Sequence, residues 1–405
     1  MVDLITVKLE EICTQVTDGT HDSPKLISHG YPLIKGKDIN KGYIDFENCD
    51  YISEEDHLKV ISRSKPEHGD ILFANIGNSI GDMAFVSTTK EFSIKNVALI
   101  KADITKVDNL YLYYYMLNKD FQNEIKSTKQ GAAQPFISLN LLRNFELKIN
   151  KKLKIQTKIA KVLSNYDDLI ENNNKRIKIL EEMAQKIYKE WFVDFKFPNH
   201  ETATFKQTDL GKIPSDWEVK NLFDFADVLY GYAFKSNLFT ETVEATPVVR
   251  IRDIKNQKTN TYSPEIPDEK YYIRDKEVLI GMDGEFHMCN WLGGKAYLNQ
   301  RVAKLKPKDN KSYFYLLLLL QKPIKELNIA IQGTTVAHLG DTHLRNLNFA
   351  IPNDKMLAEF NALAENFLEE ILSLTRKNVF LKQTRDILLP RLISGEIDVE
   401  NMSII

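Results

Sequence analysis

Four cations fall in pairs two residues apart, Lys35 with Lys37 and Arg250 with Arg252, and each pair is followed at once by an aspartate, Asp38 or Asp253. On a strand, i and i+2 point to one face. Each pair is therefore expected to form a small basic strip of the kind that meets phosphates. The plainer alternative is a solvated strand face, and the aspartates read as turn or cap residues. Upstream, the loop Gly19-Thr20-His21-Asp22-Ser23-Pro24-Lys25 carries Thr20, His21, Ser23 and Lys25, whose donors are short enough to reach groove edges and phosphates. Gly, Asp, Ser and Pro also make turns for backbone reasons alone. The stretch Gly231-Tyr232-Ala233-Phe234-Lys235 fills the matching place later in the chain. There Tyr232 and Lys235 are the contact candidates, and Tyr230 and Phe234 read as packed rings. Two polar glycine turns complete the set, one with Lys129, Gln130 and Gln134, the other with Gln332, Thr334 and Thr335. Gln pairs bidentately with adenine and Thr meets the thymine methyl group. Glu285 in Glu285-Phe286-His287 follows Gly284 at an expected loop tip and is of the type that accepts from cytosine N4. This is chemistry of recognition, not of bond-making.

Motifs for catalysis are missing. There is no Gly-x-x-x-x-Gly-Lys phosphate loop and no Gly-x-Ser-x-Gly elbow, and no Asn/Asp-Pro-Pro-aromatic motif of the kind that holds a target amine in amino-methyltransferases. His21 has no second metal ligand beside it, and His338 and His343 are five apart, off helical metal spacing. Cys13, Cys49 and Cys289 have no paired spacing, which fits a reducing cytoplasm. The apolar run Leu316–Leu320 is far too short to span a membrane. With 43% hydrophobic and 27% charged residues the chain is ordinary for a globular protein. Its net charge of −2 lacks the basic surplus of a free-standing DNA binder. Only residues 151–198 are clearly basic, with 11 Lys and Arg against 7 Asp and Glu. Local stripes or a partner must supply the rest.

Two long segments must position these loops. Ile159, Val162, Tyr166, Leu169, Asn173, Leu180, Met183 and Ile187 keep a seven-residue beat, and Pro198 ends the run. Phe360, Leu363, Phe367, Leu374, Leu381 and Leu388 do the same, and Pro390 is expected to stop that helix. Both are coiled-coil seams, and Asn173 reads as a register-setting polar residue. Helices of about 36 residues would be about 55 Å long. Between them the chain repeats itself. Tyr31-Pro32-Leu33-Ile34-Lys35-Gly36-Lys37-Asp38-Ile39 is echoed by Thr246-Pro247-Val248-Val249-Arg250-Ile251-Arg252-Asp253-Ile254, Asp70-Ile71-Leu72-Phe73 by Glu277-Val278-Leu279-Ile280, and Leu142-Arg143-Asn144-Phe145 by Leu344-Arg345-Asn346-Leu347. In the first copy, Tyr31–Ile34, Gly69–Phe73 and Ala98–Lys101 read as strands and Asn109–Asn123 as one helix.

The expected fold is α+β, with an internal pseudo-twofold duplication. Two similar mixed α/β domains, residues 1–150 and 217–352, are separated by two long helices forming an antiparallel coiled coil. These helices are the central segment 151–198 and the C-terminal helix and tail 353–405, with 199–216 as a linker.

Four stretches then carry a family likeness: Asp18-Gly19-Thr20-His21-Asp22-Ser23-Pro24-Lys25, Glu190-Trp191-Phe192-Val193-Asp194-Phe195, Leu210-Gly211-Lys212-Ile213-Pro214-Ser215-Asp216-Trp217-Glu218, and Leu389-Pro390-Arg391-Leu392-Ile393-Ser394-Gly395-Glu396-Ile397. Their order and spacing cover nearly the whole chain, which resembles the specificity subunit of a type I restriction–modification system. The resemblance implies two target-recognition domains, each reading one half of a split site in double-stranded DNA. It implies a helix pair that sets the gap and docks two methyltransferase subunits. Those partners would use S-adenosylmethionine, and further motor-nuclease subunits would use ATP and Mg2+. The chain itself would be non-catalytic, would hold no cofactor or metal, and would work in the cytoplasm away from membranes. The rival reading is a two-domain protein-interaction scaffold, which would lack the steep salt dependence of phosphate binding.

Overall fold

The computed structural model describes residues 3–40, 42–128, 135–243, 245–308, 312–331 and 337–400. It divides into two compact units, Met1–Ile170 with Val379–Ile405, and Glu171–Asn378.

In the first unit, a four-stranded antiparallel sheet runs in the order Cys13–Asp18, Ala98–Ala102, Ile71–Phe73, Met83–Phe85. Successive strand residues point to opposite faces, so the central strands feed two cores. Ile71, Phe73, Ala98 and Ile100 pack with Tyr111 and Leu112 of the helix Asn109–Leu117. Leu72, Leu99 and Ala84 pack with Ile34, Phe92 and Ile94. Ile34 and Ile94 belong to a second sheet, ordered Asp50–Ile52, Tyr31–Lys35, Ser93–Lys95, whose middle strand is antiparallel to the first and parallel to the last. An edge pair joins Leu4–Lys8 to Glu146–Asn150.

The second unit repeats this wiring. Its main sheet is ordered Ala226–Tyr230, Val302–Pro307, Val278–Gly281, Met288–Asn290. Thr246–Val249 lies parallel to Ala296–Leu298 and antiparallel to Tyr262–Ser263, and Glu218–Asn221 pairs with Asn348–Ile351. The same alternation splits the cores. Val278, Ile280, Ala303 and Leu305 face one, and Leu279 and Val302 join Trp291 and Leu298 in the other. The duplication read from the sequence is present in the main sheet, the parallel strand pair and the edge pair of each unit. One difference is that Tyr272–Ile273 extends the second unit's smaller sheet, whereas in the first unit His57 of the helix Glu54–Ile61 reaches Ser93 of the matching strand.

The long helices are Leu153–Tyr188 and Asp354–Ile393. Within the second unit they pair antiparallel: Asn173 bonds to Asn378 and Arg176 to Glu370. Within the first, Asp167 pairs with Arg385 and Lys152 with Glu400, again antiparallel. The seams differ from the expected ones. Leu169, Met183 and Leu363 are 52%, 46% and 43% exposed, while Leu163, Ile170, Ala184, Ala364 and Leu368 are buried. Within each unit the two helix segments also pack on the sheet-and-helix core, so the buried face is not the stripe a free two-helix coil would choose.

Pro390 does not stop its helix. Its missing N–H and ring clash cost about 3 kcal/mol in a helix interior, yet Leu389, Leu392 and Ile393 bury around it in the first unit's core. The helix ends instead at Gly395, which takes φ of 76°, a left-handed conformation suited to glycine at a helix C-terminus. The expected single helix at Asn109–Asn123 is two, Asn109–Leu117 and Lys119–Ser127, because Asn118 turns extended and caps the second. The polar stretch 199–216 holds a hairpin, Phe205–Thr208 with Gly211–Pro214. It leads into Trp217, fully buried among Phe192, Phe195 and Phe197.

Candidate nucleic-acid interface

The paired cations sit where a strand gives way to a turn. Asp38 is buried and its carboxylate accepts the backbone N–H of Lys35 at 2.9 Å. This bends the chain into the single turn Gly36–Asp38. Asp253 does the same for Arg250 at 2.9 Å and opens the short helix Ile251–Ile254. Burial raises both carboxyl pKa values, against the pull of these hydrogen bonds and the neighbouring cations. The consequence corrects the sequence reading. Lys35 and Lys37, like Arg250 and Arg252, do not share a strand face, because the second member of each pair lies on the turn. Lys35 is tied to Asp50 at 2.5 Å, while Lys37 stays exposed. Arg250 lies over the Phe239 ring at 5.3 Å, and Arg252 donates to Thr261 at 3.0 Å.

The two glycine loops also match. A Cβ on Gly19 would lie 2.1 Å from the Ile94 carbonyl oxygen, and one on Gly231 the same distance from that of Asn299. The chains approach this closely because Thr20 bridges to Lys95 and Tyr232 to Asn299. Beyond the glycines the chemistry diverges. In the first unit, His21 lies between Asp18 at 2.7 Å and Asn96 at 2.9 Å, and Asp18 also accepts from Arg63 at 2.5 Å. Thr20 accepts the Asp22 N–H, Ser23 accepts from Lys95 at 2.7 Å, and Lys25 is exposed. In the second unit, Tyr232 packs on Phe234 and Tyr271 at 5.0 and 5.6 Å, so it is a half-buried member of an aromatic cluster. Lys235 has its N–H held by Glu265 and its side chain exposed.

Lys129, Gln130, Gln134, Gln332, Thr334 and Thr335 lie outside the described residues. The chain just after each of these stretches is anchored alike. Ile137 donates to the Asn75 carbonyl and Leu339 to that of Met282, while Pro135 and Ala337 accept from Gly77 and Gly284. Burial pushes the Cys13 and Cys289 thiols up to about 12, so neither is a thiolate at neutral pH.

The profile of the family described as type I restriction modification DNA specificity domain matches residues 1–182 and 214–359. The chain belongs to that family. The two matched segments take in the two repeats of the fold. Among relatives, the specificity subunit of type I restriction enzyme MjaIX from Methanocaldococcus jannaschii is 29% identical over 72% of this chain and 70% of its own length. The MjaVIII specificity subunit of the same organism is 25% identical over 94% and 92%. The solved S subunit of a type I restriction–modification system from M. genitalium superposes with a TM-score of 0.56 at 16% identity, covering 97% of this chain and 96% of its own. Its fold is therefore shared.

In this member of the specificity family, sequence reasoning missed one constellation. A pocket of about 350 Å³ in the second unit brings Arg301 to the turn-borne Arg250 and Arg252, together with Asp283, Glu285 and His287. The signal was an insertion. One residue, Asn96, separates Lys95 from Val97, but Gln300 and Arg301 both separate Asn299 from Val302, and these flanking residues make matching bonds in the two units.

Proposed function

We propose that this chain is the sequence-reading, non-catalytic subunit of a type I restriction–modification enzyme. Each unit reads one half of a bipartite site in double-stranded DNA. The length of the long helices sets the unspecified gap, and their surfaces dock two methyltransferase subunits, with motor-nuclease subunits joining the complex. S-adenosylmethionine, ATP and Mg2+ belong to those partners, and the assembly works in the cytoplasm; among the described residues no helix is long and apolar enough to cross a membrane.

One observation carries this reading. The same Asp-capped, cation-bearing turn recurs in both units on the same strand order. A duplicated reader suits a ligand with two separated features, as DNA half-sites are. The relatives' names as specificity subunits support it.

The test is a salt titration of the assembled complex on a two-part DNA site. Neutralising several phosphates gives a steep fall of log K with log salt, close to one unit of slope per phosphate. Lys37→Ala and Arg252→Ala should each lower that slope by about one. A slope near zero in the wild type would favour the protein scaffold instead.

A further inference from the structure

The pocket beside Arg250 and Arg252 holds three arginines, but it is not built as a phosphate clamp. Two carboxylates, Asp283 and Glu285, stand in the same wall and offset much of the pull the arginines would exert on a phosphate inside it, although Arg252 at the rim can still meet the backbone. A base edge carries both donors and acceptors, and a mixed wall of this kind complements it.

Arg301 is the side chain held for that task. Its Nε lies 3.4 Å from Asp283 Oδ2, and Asp283 Oδ1 lies 2.6 Å from His338 Nδ1. The guanidinium faces this carboxylate through Nε, and among the described residues its terminal nitrogens make no ion pair, while the Arg301 backbone N–H donates to Asn299 Oδ1 at 3.5 Å. Its two terminal nitrogens are left to donate in parallel from a group that is 56% exposed. A planar fork with both terminal donors free is the geometry that meets guanine O6 and N7 together. In the first unit the same bridge position pairs Ile76 with Phe136, where the second pairs Asp283 with His338. The anchoring carboxylate and histidine are thus specific to the second unit.

Building on the DNA-reading function above, we infer that Arg301, positioned by Asp283 and His338, specifies a G·C pair in the half-site read by the second unit. Arg250 and Arg252 flank it, and the first unit has no counterpart at this place.

The experiment sequences the methylated sites made by the reconstituted complex on a random-sequence DNA library, for wild type, Arg301→Gln and Asp283→Asn. The wild type should fix one G·C pair in the affected half-site. Arg301→Gln should reduce selectivity for that pair by roughly 5- to 150-fold and shift it toward A·T, because Gln pairs with adenine. The other half-site and the gap should not change. Asp283→Asn should relax the same base pair to a smaller degree, with an unchanged salt slope, which separates positioning from charge loss. If Arg301→Gln keeps the wild-type motif, or weakens methylation of all sequences alike as loss of a phosphate contact would, the inference is overturned. If the wild type yields no two-part motif at all, the DNA-reading function itself falls, an outcome distinct from either.

Discussion

The Asn173 side chain donates to Asn378 across 2.8 Å inside the helix pair of the second unit, and Asn378 in turn donates to Asn174 at 2.8 Å. Asn378 is 5% exposed, while Asn173 is half-buried and Asn174 exposed, so the amide ladder is sunk in the seam at its middle member. Such a layer fixes register, because any slip leaves polar groups unpaired. Asn378→Ala removes both bonds, and because its partners remain within reach of water it should cost about 0.5–1.5 kcal/mol, read by urea unfolding of the full chain. An unchanged midpoint would mean the ladder contributes no register constraint.

The matched glycines make a second prediction. At Gly19 and Gly231 a methyl group would sit on a carbonyl oxygen, so Ala at either site must push two strands apart, at about 1–3 kcal/mol. Gly19→Ala should weaken reading of one half-site only, and Gly231→Ala of the other. Binding to DNAs scrambled in one half at a time checks this, and an equal loss on both halves from one variant would contradict it.

His57 provides a pH dependence. Its ring is buried, stacked on Tyr31 at 3.9 Å, with Nδ1 at 2.9 Å from Ser93 and Nε2 unpartnered. Burial lowers its pKa below the ordinary value near 6.5, outweighing the opposing pull of Glu91 and Glu54. The folded unit therefore holds it neutral while the unfolded chain takes up a proton. Stability from this residue is present above pH about 6.5 and is lost as the pH falls below it. The Tm of the wild type should drop between pH 7 and pH 5 more than that of His57→Gln, and parallel curves would contradict the assignment.

Docking of the methyltransferase subunits makes a fourth. The apolar residues of the end motif, Leu389, Leu392 and Ile393, sit in the first unit's own core, so deleting the motif would disrupt that core whether or not its exposed residues meet a partner. Phe380 and Ile387, seven apart on the same helix, are 67% and 61% exposed. Phe380→Ser should weaken assembly with the methyltransferase subunits without lowering Tm. Assembly at wild-type concentrations would remove this stripe from the dock.

Much of this was legible because it is local or repeated. The long helices announce themselves by their heptads, Gly19 and Gly231 by their place in matched loops, and Asp38 and Asp253 by standing just after a cation. What was not legible depends on tertiary context. The expected strand face for Lys37 and Arg252 failed because an aspartate captured the backbone N–H three residues back. The seams were displaced toward Leu163, Ile170 and Ala184 because the helices answer to two domain cores as well as to each other. Arg301 went unseen because its partners Asp283 and His338 are distant in sequence and absent from the first repeat.

The most direct test of the account maps N6-methyladenine across the host genome with and without this chain. Loss of methylation at one split motif, two short half-sites around a fixed gap, is the predicted result. A methylation pattern identical in both strains, with the partner subunits expressed, would contradict the claim that this chain chooses the sequence.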